Sequence, residues 1–364
     1  MTINARRLRS WYLILKAIPP CYLKSATGFG FHPVAAARTL AAALQARYTP
    51  QEAFTLGLLR PGADARTDRR FISSSRMNEI QLRLNPPSWS IVLVDKSVFY
   101  RYCSAAGLPV PRLFGIFLRN RAGWSYTGGL PEGREAWIHF FGRECPDEFV
   151  VKPSLGRSGR GVRVLVRTGN DFLENGVRTV DAATLYHELT TTGLFDAFVI
   201  QERIHNNPAL TAFTNNEGLQ TARVHTLVLP GGDVNVFYAY SKLITGANVV
   251  DNFRRGATGN LIARIHVDTG KLHPAVTHRR GVGFVPVPVG AGGGIVTEGF
   301  QLPCWEEVKS LVRRAAPLFL PLRHIGWDVA MTPQGSMLIE GNFTPDAPTA
   351  GAAMHEFLAA LPRI

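Results

Sequence analysis

The chain has 364 residues, of which 46% are hydrophobic and 18% are charged. This length suits two or three domain-sized units with a large buried core, and the composition excludes an intrinsically disordered chain. Lys and Arg number 40 against 27 Asp and Glu, giving a net charge of +13. The basic residues are scattered in pairs without a run of five or six, which indicates a solvated basic surface or a field that attracts an anionic substrate, and we expect no specific nucleic-acid binding.

Cysteine usage and the N-terminal apolar run bear on the cellular compartment. The four cysteines, Cys21, Cys103, Cys145 and Cys304, are far apart and form no CxxC pair. This argues against a zinc site or a disulfide framework and favours a reducing compartment, so we expect a cytoplasmic protein. Trp11–Leu15 is apolar but is interrupted by Lys16, so it is too short for a secretory signal or a transmembrane segment. A short surface helix is the expected structure, with a peripheral membrane contact as the weaker alternative.

The N-terminal part of the chain, residues 1–88, is predicted to be mainly helical. Its clearest segment, Pro33–Tyr48, begins with proline and carries apolar residues at helical spacing. Ser90–Val94 is predicted as a short strand. Asp95 is suited to cap a helix over Lys96–Ala106 that Gly107 ends.

From residue 148 onward the pattern changes to strands mixed with separate helices. The predicted elements in order are strands at 149–151 and 162–166 around a glycine-rich loop, a helix at 181–192, a strand at 198–204, a hairpin of 222–229 with 234–243 about Gly231-Gly232, a mobile loop at 290–294, a helix at 305–319, and a hairpin of 327–331 with 336–342. Such a mixture predicts an α+β fold and not a regular βα barrel.

The glycine-rich loop is the first candidate site. In the sequence VVKPSLGRSGRGV at 150–162, a strand delivers Lys152, and Pro153 is expected to stop regular pairing. The glycines let backbone amides approach phosphate oxygens, while Arg157, Ser158 and Arg160 add donors. The glycine order is not that of a Walker loop, and the following strand excludes a Rossmann turn. A plain glycine turn between two strands is the alternative.

The C-terminal hairpin is the second candidate site. Glu340 and Asn342 are two residues apart on a strand and face one way, and Asp328 on the preceding strand lies within about one residue of Glu340. Mg²⁺ prefers such oxygen ligands, and two adjacent buried carboxylates need a cation. A hairpin with polar residues facing solvent is the alternative.

The other hairpin carries two cations. If Gly231-Gly232 is the central turn pair, Arg223 faces Tyr240 and Lys242 faces Thr221, so the two cations share one face as diagonal neighbours. Two fixed cations suit a transferring phosphoryl group, and edge-strand charges that prevent aggregation are the alternative. His225, in an apolar strand, is predicted to be a core residue and not a catalyst.

These motifs, in this order, resemble the ATP-grasp superfamily. The resemblance rests on Asp95-Lys96, GLPVP at 107–111, VVKPSLGRSGRGV at 150–162, IQERI at 200–204, GWDVAM at 326–331 and LIEGN at 338–342, and covers roughly residues 50–345. It is strongest to the sugar-transfer-associated ATP-grasp proteins related to alpha-L-glutamate ligases, to which VDNF at 250–253 and LPCW at 302–305 are also similar.

The resemblance implies two α+β subdomains that clamp ATP, with a helical N-terminal extension. It implies a helical region at 1–88, the first part of the core at 89–147, a lid at 148–204, and a C-terminal subdomain with the metal site at 205–364. Arg223 and Lys242 match the basic residues beside the γ-phosphate or acylphosphate, and Asp328, Glu340 and Asn342 match the Mg²⁺ ligands, for which Mn²⁺ could substitute. The implied nucleotide contacts are Lys96, Lys152, Ser154, Gly156, Ser158, Gly159, Gly161, Gln201, Glu202 and Ile204.

The chemistry of the family implies a carboxylate–amine ligase. The carboxylate attacks the γ-phosphate of ATP to form an acylphosphate and ADP, and an amine then displaces phosphate. Asn252, Arg254 and Arg255 are expected to face an anionic substrate of amino-acid or sugar origin. A departure from the pattern is that residues 205–209, HNNPA, offer no acidic residue for the ribose. The alternatives are an ATP-dependent phosphotransferase and a non-catalytic nucleotide- or polyanion-binding protein.

Overall fold

Two seven-stranded antiparallel sheets form the framework of the computed structural model. The structure describes residues 20, 33–60, 62–63, 65, 71–156, 159–246, 248, 251, 253, 257–279, 281–287 and 295–346. The helices are α1 Pro33–Gln45, α2 Pro50–Thr55, α3 Ser74–Leu84, α4 Ile91–Val94, α5 Lys96–Ala105, α6 Gly133–His139, α7 Ala182–Thr191, α8 Pro208–Thr214 and α9 Trp305–Leu318, with short helical turns at Pro87–Trp89 and Phe140–Glu144.

The first sheet has the strand order β2-β1-β7-β3-β4-β5-β6. Its strands are β1 Leu113–Leu118, β2 Trp124–Ser125, β3 Glu148–Pro153, β4 Arg163–Thr168, β5 Asp171–Glu174, β6 Arg178–Val180 and β7 Ala197–Glu202. An aromatic cluster that includes Trp137, Phe140, Phe141 and Phe149 packs against it. The sheet therefore has its own apolar core.

The second sheet has the strand order β12-β11-β10-β9-β8-β13-β14. Its strands are β8 Thr221–Val228, β9 Val234–Leu243, β10 Leu261–Arg264, β11 Val276–Arg279, β12 Gly283–Pro286, β13 His324–Thr332 and β14 Gly335–Asn342. Helix α9 covers one face with Trp305, Val308, Leu311, Val312 and Ala315, all buried. These positions recur every three or four residues and form one apolar stripe, which leaves the opposite face of the sheet for the site.

The N-terminal helices pack on the outer strands of the second sheet. A Cβ atom added to Gly57 would lie 2.1 Å from the carbonyl oxygen of Val282, and one added to Gly283 would lie 2.7 Å from that of Leu56. Asn85 donates to the carbonyl oxygens of His324 at 2.6 Å and Phe343 at 2.8 Å. The backbones at Gly57 and Gly283 can approach their neighbours this closely because neither residue has a Cβ atom.

Most predicted elements are confirmed. The helices at 33–45, 96–105, 182–191 and 305–318, the strands around the glycine-rich loop, and both hairpins are present. Asp95 caps its helix by accepting from the amides of Ser97 and Val98. Pro153 interrupts pairing on one side only, since β3 stops pairing with β4 at Val151 but remains paired with β7 through Pro153. The predicted loop at 290–294 lies outside the described residues.

The strand prediction for Ser90–Val94 was wrong, because Ile91–Val94 is a helical turn. The amide of Val94 bonds to the carbonyl of Ser90 at 3.0 Å, and that of Asp95 to Ile91 at 3.1 Å. Four apolar residues do not by themselves distinguish a strand from a buried helix. The helical turn places Leu93 against Gly341, 2.5 Å from where a Cβ atom of that glycine would be. Tertiary packing therefore overrides the β-branched composition.

Within the described residues, no helix combines the length and the apolar character that crossing a bilayer requires.

Candidate active site

A cavity of about 1000 Å³ lies between the two sheets. Around the first sheet it is lined by Lys96 of α5, Lys152 of β3, Gln201 of β7, and Gly156, Gly159 and Ile204 in the segments that follow these strands. The second sheet contributes Arg223, Lys242, Asp328, Glu340 and Asn342. The structure thus brings the predicted residues of both sheets to one space. Ser154, Gly161 and Glu202 are not among the lining residues.

A row of directly paired residues crosses five strands of the second sheet. Glu340 pairs with Asp328, Asp328 with Arg223, Arg223 with Tyr240, and Tyr240 with Arg264. Residues opposite one another on neighbouring strands project to the same face. The row therefore places the carboxylates and a guanidinium side by side on the face that the cavity covers.

Asp328 is the centre of the charge cluster. Both of its carboxylate oxygens accept from Arg223, through Nε and through Nη2 at 3.0 Å, and Oδ2 also accepts from Lys242 Nζ at 3.0 Å. Burial opposes ionisation, but the two cations outweigh it and hold the pKa of Asp328 well below its ordinary value. Asp328 and Arg223 are 6% and 9% exposed, so the pair is charged and largely sheltered from water.

Lys242 bridges Asp328 to a second acid. Its Nζ lies 3.2 Å from Asp251 Oδ2, and Asp251 also accepts from the hydroxyl of Thr221. Although burial disfavours the charged amine, Asp251 and Asp328 raise the pKa of Lys242 above its ordinary value. Because β8 and β9 are interior strands of the sheet, the alternative that Arg223 and Lys242 are edge-strand charges does not hold.

The predicted metal ligands differ in how freely they could take a cation. Glu340 is partly exposed and lies 3.5 Å from Lys96 Nζ. Asn342 donates its amide to the carbonyl of Gly326 at 3.1 Å, which leaves its side-chain oxygen as an acceptor. Asp328 already accepts from two cations. Among the described residues no group of three or more His, Cys, Asp or Glu could hold a metal ion. The donor set of two carboxylates and an amide oxygen fits Mg²⁺, with Glu340 and Asn342 as its more available members.

Lys152 and Lys96 approach the cavity from two elements. Lys152 Nζ donates to the hydroxyl of Tyr100 at 2.6 Å, and that hydroxyl donates to the carbonyl of Ile339 at 2.8 Å. Lys96 Nζ donates to the carbonyl of Gly156 at 2.8 Å. Burial, and then the neighbouring Lys96, lower the pKa of Lys152 to about 7. Lys152 is thus a buried amine close to its titration point at neutral pH.

The two ends of the glycine-rich loop are defined by glycine conformation on one side and by a hydrogen bond to the cap of α5 on the other. Gly159 and Gly161 have φ values of 66° and 76°, which favour glycine. Ser154 is buried and donates to Asp95, so its hydroxyl serves the cap of α5. Ser158 and its neighbour Arg157, both predicted to donate to phosphate, lie outside the described residues.

The end of β7 lies at the side of the cavity. Gln201 and Ile204 line it, and the Gln201 side-chain oxygen is buried with no hydrogen-bond partner among the described residues. The Glu202 carboxylate instead accepts from the amide of Arg112 at 3.0 Å. Gln201 therefore offers an unused acceptor to a ligand, whereas the Glu202 side chain is bonded to the backbone just before β1.

Several cavity residues were missed from the sequence. Asp251 and Glu217 line the cavity and were not predicted, although Asp251 is part of the VDNF segment that was noted, and Tyr100, which contacts Lys152 behind the lining, was also missed. Glu217 is the one acid near the end of β7 in the described lining, and Asn206 fixes the segment beside it by donating to the carbonyl of Gly218 at 2.8 Å. Asn252, Arg254 and Arg255 lie outside the described residues.

His225 is a core residue, as predicted. It is fully buried between strands, and its Nδ1 lies 3.3 Å from His324 Nε2. Burial, and then His324, hold the pKa of His225 well below its ordinary value. Both imidazoles are therefore neutral at physiological pH.

Comparison with models of known protein families identifies the family of this chain. A family model described as sugar-transfer associated ATP-grasp matches residues 75–359. A search of curated proteins gives no match.

Among solved structures, the chain is similar to an L-amino acid ligase from Bacillus licheniformis, with a TM-score of 0.36, 11% identity, and coverage of 73% of this chain and 42% of the ligase. It is also similar to D-alanyl-alanine synthetase A from Vibrio cholerae, with a TM-score of 0.39, 13% identity, and coverage of 76% and 63%. It is similar as well to a D-alanine–D-alanine ligase from Bacillus anthracis complexed with ATP. In that case the TM-score is 0.33, the identity is 13%, and the match covers 74% of this chain and 61% of the ligase. The matched region thus spans less than two thirds of each of these proteins.

Proposed function

Since the chain belongs to the sugar-transfer associated ATP-grasp family and has the ATP-grasp fold, we propose that it is a carboxylate–amine ligase that uses ATP and forms an acylphosphate. The observation that carries the proposal is the cluster of Arg223, Lys242, Asp328 and Glu340 on one sheet face, opposite Lys152 in the same cavity. Such a cluster of fixed cations and acids suits the transfer of a phosphoryl group.

The nucleotide is bound mainly by the first sheet in this proposal. Lys152 and Lys96 contact its phosphates, and the backbone of residues 156–161 closes over them. Gln201 and Ile204 contact the adenine, and Glu217 takes the ribose position that the hinge sequence does not supply. Glu202, whose carboxylate faces Arg112, contributes through its backbone.

The reacting groups are positioned by the second sheet. A carboxylate oxygen attacks the γ-phosphorus, the bond to the bridging oxygen breaks, and ADP leaves. An amine nitrogen then attacks the acyl carbon, phosphate leaves, and the nitrogen loses a proton to solvent. Arg223 and Lys242 orient the transferred group and neutralise its charge, and Asp328 holds both cations in place.

Glu340 and Asn342 would hold Mg²⁺, with Asp328 at their side. The ion would supply further neutralisation of phosphate charge. Asn252, Arg254 and Arg255 stay predictions for contacts with an anionic substrate.

Hydroxylamine trapping tests the proposal. The full chain is incubated with ATP, Mg²⁺, hydroxylamine and a panel of amino acids and sugar acids, and ADP and hydroxamate are both measured. Hydroxamate formed together with ADP is expected, because hydroxylamine intercepts an acylphosphate. ADP with a phosphorylated product and no hydroxamate would instead identify a phosphotransferase.

A matched pair of variants tests the role of Glu340. Glu340→Gln keeps the size of the side chain but removes its charge, so ADP formation is expected to fall by about 100-fold or more while ATP binding changes less. Glu135→Gln, at an exposed position on α6, should leave ADP formation unchanged. Equal turnover of the two variants would refute the assignment of Glu340.

A further inference from the structure

The cavity extends beyond the charged cluster, over the outer strands of the second sheet. Five apolar side chains of the described residues line it there: Ile262 and Phe284 come from β10 and β12, Phe253 from the loop before β10, and Phe71 and Ile72 from the N-terminal region, beside the polar Glu52, Thr55 and Ser74. Phe253 and Phe284 stack with ring centroids 6.0 Å apart. We call these five residues the apolar end of the cavity.

The pairing of the strands shows that this end is continuous with the reacting groups. Lys242 pairs with Ile262, and Ile262 with Val276. Two residues further along β11, His278 pairs with Phe284. Because alternate residues share a face, Phe284 projects from the same side of the sheet as Lys242. Three strand spacings separate them, which corresponds to about 14 Å.

The opposite wall is held rigidly by the N-terminal helices. His278 Nε2 lies 2.8 Å from the carbonyl oxygen of Thr55, and the backbone contact of Gly57 with Val282 fixes α2 against β11 and β12. The carboxylate of Glu52 on this wall is committed, since it accepts from the amide and hydroxyl of Ser74 at 2.6 and 2.8 Å. A ligand at this wall would therefore contact aromatic rings and aliphatic groups, and would meet little free charge.

We infer that the apolar end binds the non-reacting part of the carboxylate substrate, and that this substrate is an acid with a large aliphatic or aromatic group. The inference rests on the proposed function. The distance of about 14 Å from Lys242 to Phe284 exceeds the length of two extended residues, so a small amino acid would leave the apolar end empty. A sugar would need several free hydrogen-bonding partners, whereas among the described residues the five of this end are apolar and the neighbouring Ser74 and Thr55 hydroxyls are already bonded to Glu52 and to the carbonyl of Gln51.

Binding of straight-chain acids tests this inference without requiring turnover. Acetate, butyrate, hexanoate and octanoate are titrated calorimetrically into the full chain with Mg²⁺ and a non-hydrolysable ATP analogue. Affinity is expected to rise by about fourfold for each methylene group that reaches the apolar end and is removed from water there, so the increase should be concentrated in the longer acids. The same affinity from acetate to octanoate would overturn the inference.

Variants of Phe284 on the sheet and of Phe71 in the N-terminal region test whether the acids bind at the apolar end. Phe284→Ala and Phe71→Ala are each expected to weaken octanoate binding by about tenfold and to leave acetate binding unchanged. Leu130→Ala removes an exposed apolar side chain outside the cavity and should alter neither. If Phe284→Ala unfolds, Phe71→Ala and the conservative Phe284→Leu still decide the question. Octanoate binding that is insensitive to both walls would contradict the inference.

The two proposals fail in different ways. Chain-length-dependent binding without any hydroxamate would retain the apolar end as a binding site and reject the ligase chemistry. Hydroxamate formation with small acids, combined with affinity that does not depend on chain length, would retain the ligase and reject the apolar end as a substrate site.

Discussion

The titration of Lys152 leads to a specific prediction for ATP binding. The pKa of Lys152 is lowered to about 7, chiefly by burial and then by Lys96. A phosphate contact favours the charged amine, so nucleotide binding should raise this pKa. We therefore expect ATP to bind together with a proton at alkaline pH, and we expect Lys152→Met to lose that coupling.

The size of the effect follows from the pKa. At pH 8.5, about 3% of Lys152 is charged in the free protein, so binding should take up close to one proton, and affinity should fall by about tenfold for each pH unit above 7. The lowered pKa of Lys152 in the free protein should also make the stability of the fold depend on pH. Because the unfolded lysine titrates near 10.5, the unfolded chain binds more protons between pH 7 and 10.5, and the contribution of Lys152 to stability rises with pH across that window.

Calorimetry in pairs of buffers with different ionisation enthalpies measures the proton uptake directly. A non-hydrolysable ATP analogue is titrated at pH 7.0 and 8.5 into wild type, Lys152→Met and Lys152→Arg. Lys152→Met should bind more weakly by roughly 10- to 150-fold at pH 7.0, with a much smaller difference at pH 8.5, and without proton uptake at this site. Lys152→Arg keeps a permanent charge and should also bind without uptake.

Two results would refute the reasoning. One is a wild-type affinity that is equal at pH 7.0 and 8.5 with no net proton exchange. The other is an unchanged proton uptake in Lys152→Met, which would assign the titration to another group.

Three further predictions concern the lid, the N-terminal region and the charge of the chain. Hydrogen exchange over residues 156–161 should slow when Mg·ATP is added, since the glycines have few apolar anchors; equal exchange with and without nucleotide would contradict this. Asn85→Ala leaves buried backbone groups of His324 and Phe343 without a partner and should lower the free energy of unfolding by about 2–4 kcal/mol in denaturant titrations, whereas Asn78→Ala at an exposed position of α3 should change it little. Any retention on nucleic acid should be independent of sequence and vanish as salt is raised, and a salt-resistant, sequence-dependent complex would show otherwise.

The sequence predicted the charge cluster because side-chain alternation determines which residues share a face. The pairing of Arg223 with Tyr240 and of Lys242 with Thr221 was predicted correctly and is confirmed, and Asp328, which was predicted to lie within about one residue of Glu340, pairs with it directly. The turn that was used to derive the first two was different, however, because the strands close on residues 229–233 around a central Gly231. An extra residue on β9, between its partners of His225 and Thr226, restores the predicted register at the site.

Other parts of the site could not be predicted from local patterns. Tyr100 belongs to α5, but its hydroxyl joins Lys152 on β3 to Ile339 on β14, and no periodicity connects three such distant segments. The role of the N-terminal region was left open for the same reason. Its position depends on backbone contacts at Gly57 and Gly283, which a sequence does not distinguish from ordinary turn glycines.

Each of the two hairpins of the second sheet contains a β-bulge. The bulges determine which insertions and deletions in the hairpins the site can tolerate. In each hairpin an extra residue, Phe237 on β9 and Ile339 on β14, lies between the turn and the site. Pairing on the turn side of a bulge is therefore offset by one residue from pairing on the site side. A one-residue deletion on the turn side could be accommodated by losing the bulge, with Lys242 and Glu340 still facing the cavity. A one-residue deletion on the site side would reverse the face of every residue beyond it. Homologous hairpins should therefore vary in length at the turns and keep a fixed length from the bulge to the reacting groups.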